Sequence, residues 1–390
     1  MDIIRIPDIT ERIRRAPDLF FSSEETEGSI GAVKELLDIF FTEAVMGYCN
    51  KIAVKIGLDG SIEIFSSDRG IKLDDAEING KPSWFYIFCK PAPSPREAED
   101  YLKFLKYEHN RLYGEEKEST AVYEADENSA WQLCCVQCTS IFMTVEAVRD
   151  GVKKTLHFKD GYSVGDMEKT YTQELSSTKI HFKPDDTVFG DTTITPDKIS
   201  RLLRAAAVTI PGLRCTLEDE RNAVSKAYFF GNGIADYAVE KAGSRIHTPV
   251  FTKEITATGK DRSNQQPYDA RVKVALAFSD SSGHTECFHN YSPLKLGGDH
   301  QKEAEEKILS TVNWYICEDE EAAGISAGKL KDRLILIIET NCSRCATKWS
   351  TARKTYITNA MITDMCADLF KNDFDHFVKE NAELIRSITL

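Results

Sequence analysis

The sequence predicts an α+β protein built as two domains. Three observations carry that expectation. Apolar residues alternate with polar ones in paired runs joined by Asp-Gly, as antiparallel hairpins require. Stretches with apolar residues at i, i+3 and i+4 follow the strand groups in each half instead of alternating with them one for one. The chain has 390 residues, enough for two or three cores of ordinary size.

The first clear element is a helix over residues 29–48. Val33, Leu36, Leu37, Phe40, Phe41, Ala44, Val45 and Tyr48 make one apolar face on it. A hairpin follows, KIAVKIGL and SIEIFSS around Asp59-Gly60, and a second joins IFMTVEAV to VKKTLHF through Asp150-Gly151. A DG pair readily takes the positive φ of a type I′ turn. TKIHF at 178–182 reads as another strand. A helix opens at Thr195-Pro196, an N-cap and N1 pair, and runs to Val208 before Pro211-Gly212 ends it. Between the hairpins, residues 75–130 are irregular: Pro82, Pro91, Pro93 and Pro95 mark a loop, and a charge-rich helical run at 96–118 follows. This stretch reads as an insertion or lid over the sheet.

The second half has strand-like KAYFF at 226–230, a short helix near 233–242, and strands at 249–257 and 270–279 flanking DRSNQQP. A helix over 299–317 precedes the most apolar strand, DRLILIIETN, and a final helical stretch is expected over 357–388. The domain division falls at 1–228 and 229–390. No internal repeat is present.

Lys and Arg number 49 and Asp and Glu 62, for a net charge of −13. That excludes a uniformly basic nucleic-acid binder, because an acidic chain repels phosphate unless its cations are gathered locally. With 42% hydrophobic and 28% charged residues the chain is neither disordered nor fibrous. Eleven scattered cysteines suit reduced thiols. No signal-peptide core and no run of 18 apolar residues occurs, so the expectation is a cytoplasmic protein without a membrane span.

On the first helix Glu35 and Asp38 project from the more polar side, with Thr42 a turn further on. A carboxylate at Glu35 suits a general base for an attacking water, or else belongs to a solvated helix face. Cys135-x-x-Cys138 and Cys342-x-x-Cys345 read as a four-thiolate zinc site or as incidental cysteines. Gly297-Gly298-Asp299-His300 reads as an anion site or as a structural helix start.

The order of the elements is the more specific signal. RRAPDLFFSS, ELLDIFFTEAVMGYC, a DG hairpin and SSDRGI resemble the ATPase domain of the B subunits of DNA gyrase and topoisomerase IV, members of the GHKL superfamily. STKIHFKPDDTVFGDTT, IPGLRCTLEDER, FFGNGIADYAVEK, NYSPLKLGGDH and ATKWSTARK continue the resemblance over nearly the whole chain. It implies a GHKL-type α/β sandwich followed by a transducer domain of the ribosomal-protein-like βαβ type. It also implies ATP and Mg²⁺ as cofactors, a homodimer, a gyrase-A-like partner subunit, and DNA contact through the transducer half. Basic residues are gathered there, at Lys329, Lys331 and Arg333, then Arg344, Lys348, Arg353 and Lys354. The chain stops where the last transducer helix is expected to end, and reads as a fragment or as a stand-alone protein.

By the same resemblance Glu35 matches the general base, Thr178 a threonine at the adenine end of the pocket, and Lys348 a lysine that reaches the γ-phosphate. Asp38, Gly70 and Ile71 fall in the matching nucleotide-binding segments. The departures predict a degenerate site. Ile39 stands where the family has an asparagine that helps to hold Mg²⁺, and Mg²⁺ needs oxygen ligands. Ser66 replaces the aspartate that accepts from adenine, and Asp68 replaces a glycine. The run matching the family's glycine-rich phosphate loop, Asn128 to Cys135, contains no glycine, and side chains there obstruct backbone approach to phosphate. The expected activity is that of a gyrase-B-like ATPase and transducer region with lost or much reduced hydrolysis and no strand-cleavage chemistry. The alternative is a pseudo-ATPase scaffold for dimerisation or partner binding.

Overall fold

The structure, a computed structural model, describes residues 8–19, 21, 29–73, 81–89, 129–260, 267–280, 282–316, 324–342 and 355–389. The described residues form two compact units. The first comprises those up to Arg204 together with Leu213–Phe229, and the second Ala205–Gly212 and Phe230 onward.

The first unit holds helices α1 (Ile9–Arg15), α2 (Ser29–Val45), α3 (Ser83–Phe88), α4 (Ser129–Cys138), α5 (Asp186–Phe189) and most of α6 (Pro196–Thr209). Its strands are β1 (Lys51–Ile56), β2 (Ile62–Ser66), β3 (Ser140–Arg149), β4 (Val152–Lys159), β5 (Tyr162–Ser163), β6 (Glu168–Tyr171), β7 (Ser177–Pro184), β8 (Arg214–Asp219) and β9 (Val224–Phe229). They form one nine-stranded sheet in the order β5-β4-β3-β7-β2-β1-β8-β9, with β6 also pairing β4. Only the β1–β8 pairing is parallel.

Alternation puts one side chain in two on the covered face. Leu217, Val54, Ile64, Ile180, Val145 and Leu156 are in register across six strands, and all are buried. Each contributes roughly 1.5–3 kcal/mol on burial. The next row on that face is Cys215, Ile52, Ser66, Thr178 and Ala147. There the apolar core gives way to polar side chains.

The turns differ in detail. Asp150 and Gly151 both have positive φ, as a type I′ hairpin requires, and Asp160-Gly161 repeats that geometry between β4 and β5. At the first hairpin only Gly60 is left-handed, and the Gly57 N–H donates to Ser61 O. This is a longer loop than the two-residue turn expected from Asp59-Gly60 alone.

The second unit contains α7 (Ile234–Ala242), β10 (Phe251–Lys260), β11 (Pro267–Phe278), β12 (His284–His289), β13 (Ser292–Pro293), α8 (Asp299–Ile316), α9 (Ala327–Lys331), β14 (Leu334–Cys342), α10 (Ala360–Leu369), α11 (Asp373–Glu380) and α12 (Ala382–Thr389). The sheet order is β10-β11-β14-β12-β13. β12 lies parallel to β14, so β12, α8 and β14 form the βαβ unit that the resemblance implies. Val272, Val274, Leu276, Leu336 and Ile338 face Ala304, Ile308 and Val312 of α8 and Ile362, Met365 and Leu369 of α10. On the other face α7 packs against β11 and β14. Burial on both faces explains why the first five residues of β14, LILII, read as an unbroken apolar run.

The helical stretch expected over 357–388 consists of three helices, α10, α11 and α12. Asn372 takes φ +50 after α10, and Asn381 separates α11 from α12. Asparagine tolerates the left-handed region that breaks a helix. In the expected irregular stretch the structure describes α3 and the start of α4; the helix expected at 96–118 lies outside the described residues.

Candidate nucleotide site

The site is assembled around α2. Of its seventeen residues only Lys34 and Val45 are not buried. Glu35 is 9% exposed, Asp38 3%, and Thr42 and Glu43 are fully buried. The polar side of this helix is therefore interior, and the solvated-face reading is overturned. Buried carboxylates are costly unless hydrogen-bonded or paired, and each has a partner from the chain itself.

Glu35 accepts a short hydrogen bond from the side-chain amide of Gln132 on α4, and Gln132 is itself buried. One turn on, burial pushes the Cys135 thiol well up; the neighbouring Cys138 and Glu35 charges add to the rise. α4 begins inside the run that contains no glycine, Asn128 to Cys135, and it is a side chain of this run that meets Glu35. Asp38 pairs with Lys34 Nζ at 2.6 Å, one helical turn back. Ile39 is 1% exposed and belongs to the hydrophobic core.

The second group lies at the end of β2. Ser66 is in register opposite Thr178. Asp68 is 2% exposed, and its Oδ1 accepts from the Thr178 hydroxyl at 2.8 Å and from the Gly70 N–H at 2.9 Å. The Ile71 N–H donates to Thr178 Oγ1 at 3.2 Å. A carboxylate thus stands beside Thr178, two residues after Ser66, with its Oδ1 taken by two donors of the chain itself.

Gly70 has φ +73, and a Cβ there would lie 2.2 Å from Val148 O. The loop can approach β3 this closely only with glycine at that position. Cys49 Sγ is 3.3 Å from Ser66 Oγ. Burial raises its thiol pKa, and the Asp68 charge contributes.

A residue pair absent from the sequence reading ties the two groups together. Arg69 binds Glu43 in bidentate fashion, at 3.0 Å through Nε and 2.6 Å through Nη2, and its guanidinium lies 3.8 Å over the Tyr48 ring. This pins the loop after β2 to the C-terminal half of α2. Gln132, Lys34, Glu43 and Arg69 all escaped sequence reasoning. Of these, only the Lys34–Asp38 spacing carried a local signal, an i, i+4 pair of opposite charge.

The structure therefore brings Ser66, Asp68, Gly70, Ile71 and Thr178 into one cluster. Glu35 and Asp38 form a second, and Lys348 lies outside the described residues. The donors on α2 do not fit Mg²⁺. Ile39 offers hydrocarbon, Asp38 is ion-paired, and Glu35 holds an amide. Among the described residues no group of three or more His, Cys, Asp or Glu is placed to hold a metal ion. Of the cysteines proposed for zinc, Cys135, Cys138 and Cys342 are buried and Cys345 lies outside the described residues. In the Gly-Gly-Asp-His segment Asp299 Oδ1 accepts from Tyr356 OH at 2.5 Å and His300 is buried. No helix among the described residues is long and apolar enough to cross a membrane.

Comparison with known proteins finds the same likeness. The family profile described as DNA gyrase B matches residues 233–389. The chain is 27% identical over 318 residues to the B subunit of DNA topoisomerase 4 from Bacillus subtilis, covering 80% of this chain and 44% of that protein. It is 24% identical over 395 residues to the B subunit of DNA gyrase from Halalkalibacterium halodurans, covering 99% and 57%. The chain spans about half the length of the curated relatives it matches. The crystal structure of the 43K ATPase domain of Thermus thermophilus gyrase B, in complex with an aminocoumarin, superposes with a TM-score of 0.70 at 18% identity. That match covers 97% of this chain and 92% of that one. The topoisomerase IV ATP-binding domain of Francisella tularensis superposes with a TM-score of 0.62 at 17% identity, covering 97% of this chain and 94% of that one. The chain thus resembles, over nearly its whole length, the N-terminal ATPase and transducer region of the gyrase B and topoisomerase IV B family.

Proposed function

We propose that this chain is the nucleotide-binding and transducer region of a gyrase-B-like type IIA DNA topoisomerase subunit whose ATP hydrolysis is lost or much reduced. In this reading it carries no strand-cleavage chemistry. It acts in the cytoplasm as a homodimer, with a gyrase-A-like partner subunit. Asp38, Ser66, Asp68, Gly70, Ile71, Thr178 and Lys348 contact the nucleotide, and Glu35 is the remnant of the general base. DNA is reached through the second unit; of its basic residues Lys331 pairs with Glu305 and Arg333 with Asp280, which leaves less charge for phosphate.

The observation that carries the loss of hydrolysis is the Gln132 amide on Glu35. A general base must be within hydrogen-bond reach of the water it activates, and here an amide donor takes one carboxylate oxygen. Buried Ile39 removes the metal ligand as well. In a steady-state assay with ATP and Mg²⁺, turnover is expected at background.

A second reading, a pseudo-ATPase scaffold for dimerisation or partner binding, is favoured by the engagement of Glu35, Asp38 and Asp68 by the chain's own donors. Thermal denaturation across nucleotides separates the two, because a bound ligand raises stability by mass action. The first reading expects a shift with ATP. The scaffold expects none, together with stable dimers in nucleotide-free solution.

A further inference from the structure

We propose that Cys134 and Cys138 form a peroxide-reactive dithiol, in which Cys138 is the attacking sulfur and Cys134 resolves its oxidised form to a disulfide. The proposal does not depend on the nucleotide reading.

Both residues are fully buried, one turn apart at the end of α4, with their sulfurs 3.8 Å from each other. Residues i and i+4 of a helix lie about 6 Å apart at Cα, within the roughly 4.4–6.8 Å that a disulfide spans. Polar groups converge on Cys138. The Thr10 hydroxyl of α1 lies 3.5 Å from its Sγ, and Gln137 Oε1 lies 3.4 Å from it. Arg14 Nη1 donates to Cys138 O at 3.1 Å. The Gln137 side chain is fully buried, and its Nε2 has no hydrogen-bond partner among the described residues. An amide keeps its shape when its O and N exchange places. With Cys138 ionised, turning the Gln137 amide over brings that orphan donor onto the sulfur, beside the Cys134 S–H. The hydrogen bond from Cys134 holds the Cys138 thiol below its ordinary pKa; Thr10 and Arg14 add to this, while burial and the Asp8 charge oppose it. The same bond raises the Cys134 thiol, so Cys134 stays protonated until it resolves.

α1, which covers Cys138 with Thr10, is seven residues long. So short a helix opens locally at small cost and admits a water-sized oxidant. The Cys138 thiolate attacks one oxygen of hydrogen peroxide, the O–O bond breaks, and the departing hydroxide takes up a proton and leaves as water. The sulfur is thereby oxidised to a sulfenic acid. The Cys134 sulfur then attacks it, and the thiol proton leaves with the sulfenic hydroxyl as a second water.

Limited hydrogen peroxide on the reduced, folded full chain, followed by thiol alkylation and peptide mass spectrometry, tests this. Loss of two hydrogens across Cys134 and Cys138 is expected at least about tenfold faster than oxidation of Cys49, Cys215, Cys287 and Cys366, which are also buried. The preference should vanish in urea. Cys134→Ala is expected to leave a sulfenic acid at Cys138 that dimedone captures, and Cys138→Ala to leave Cys134 unreacted. Should either variant fail to fold, the parent chain decides alone. A pair no faster than the other buried thiols, earlier oxidation of the partly exposed Cys89, a preference that survives urea, or dimedone capture at Cys134 in place of Cys138 overturns the proposal.

Discussion

Asp68 and Thr178, 110 positions apart in sequence, are joined by a 2.8 Å hydrogen bond between Oγ1 and Oδ1, with both side chains buried. The same carboxylate oxygen takes the Gly70 N–H. Asp68→Ala leaves two donors without their acceptor, at about 1–3 kcal/mol each, so a loss of roughly 2–5 kcal/mol is expected in urea denaturation. Asp68→Asn keeps an acceptor oxygen in place and should lose less than half of that. Equal losses for the two variants would show that charge, and not geometry, holds the loop.

The Arg69–Glu43 pair makes a sharper prediction. Glu43 is fully buried and Arg69 covers it with two hydrogen bonds. Arg69→Ala removes both of these hydrogen bonds from a buried charge, and breaking a buried pair typically costs about 3–5 kcal/mol. Arg69→Leu/Glu43→Met should recover most of the loss. Urea midpoints of the three variants measure this, and a double variant as unstable as Arg69→Ala would contradict the assignment.

Acid should weaken the two units in different pH windows. In the second unit, burial holds His300 down at about 4 from an ordinary 6.5. The unfolded chain therefore takes up the proton first, and stability falls as pH drops from about 6.5 towards 4, by about 3 kcal/mol. In the first unit, the hydrogen bonds from the Arg221 guanidinium hold Asp219 at about 2 from 3.8. Its contribution, about 2 kcal/mol, is complete above pH 4 and lost as pH falls through 2. Hydrogen exchange of β14 and β8 peptides, corrected for intrinsic rates, should show β14 losing protection first. His300→Leu should flatten the β14 profile between pH 6.5 and 4.

Much of the fold was legible because alternation and helical periodicity are local. The β3–β4 hairpin follows from Asp150-Gly151, and the two-sided burial of β14 from its unbroken apolar run. In the site, Ile39 was legible because a missing oxygen ligand is a property of one residue. Gln132 was not: the absence of glycine in its segment indicated obstruction, but only the packing of α4 on α2 shows which side chain reaches Glu35. Asp68 lies in a bend after β2, and its contact with Thr178 spans 110 positions, beyond any local pattern. Glu43 and Arg69 meet across 26 positions, a separation that no local pattern encodes.

The central claim is that α2 has kept its base, Glu35, without a working hydrolytic site around it. Steady-state ATP turnover in saturating Mg²⁺, measured side by side for the parent chain and Glu35→Ala, tests that most directly. The account predicts two indistinguishable rates at background. A parental rate well above background that Glu35→Ala abolishes would contradict it.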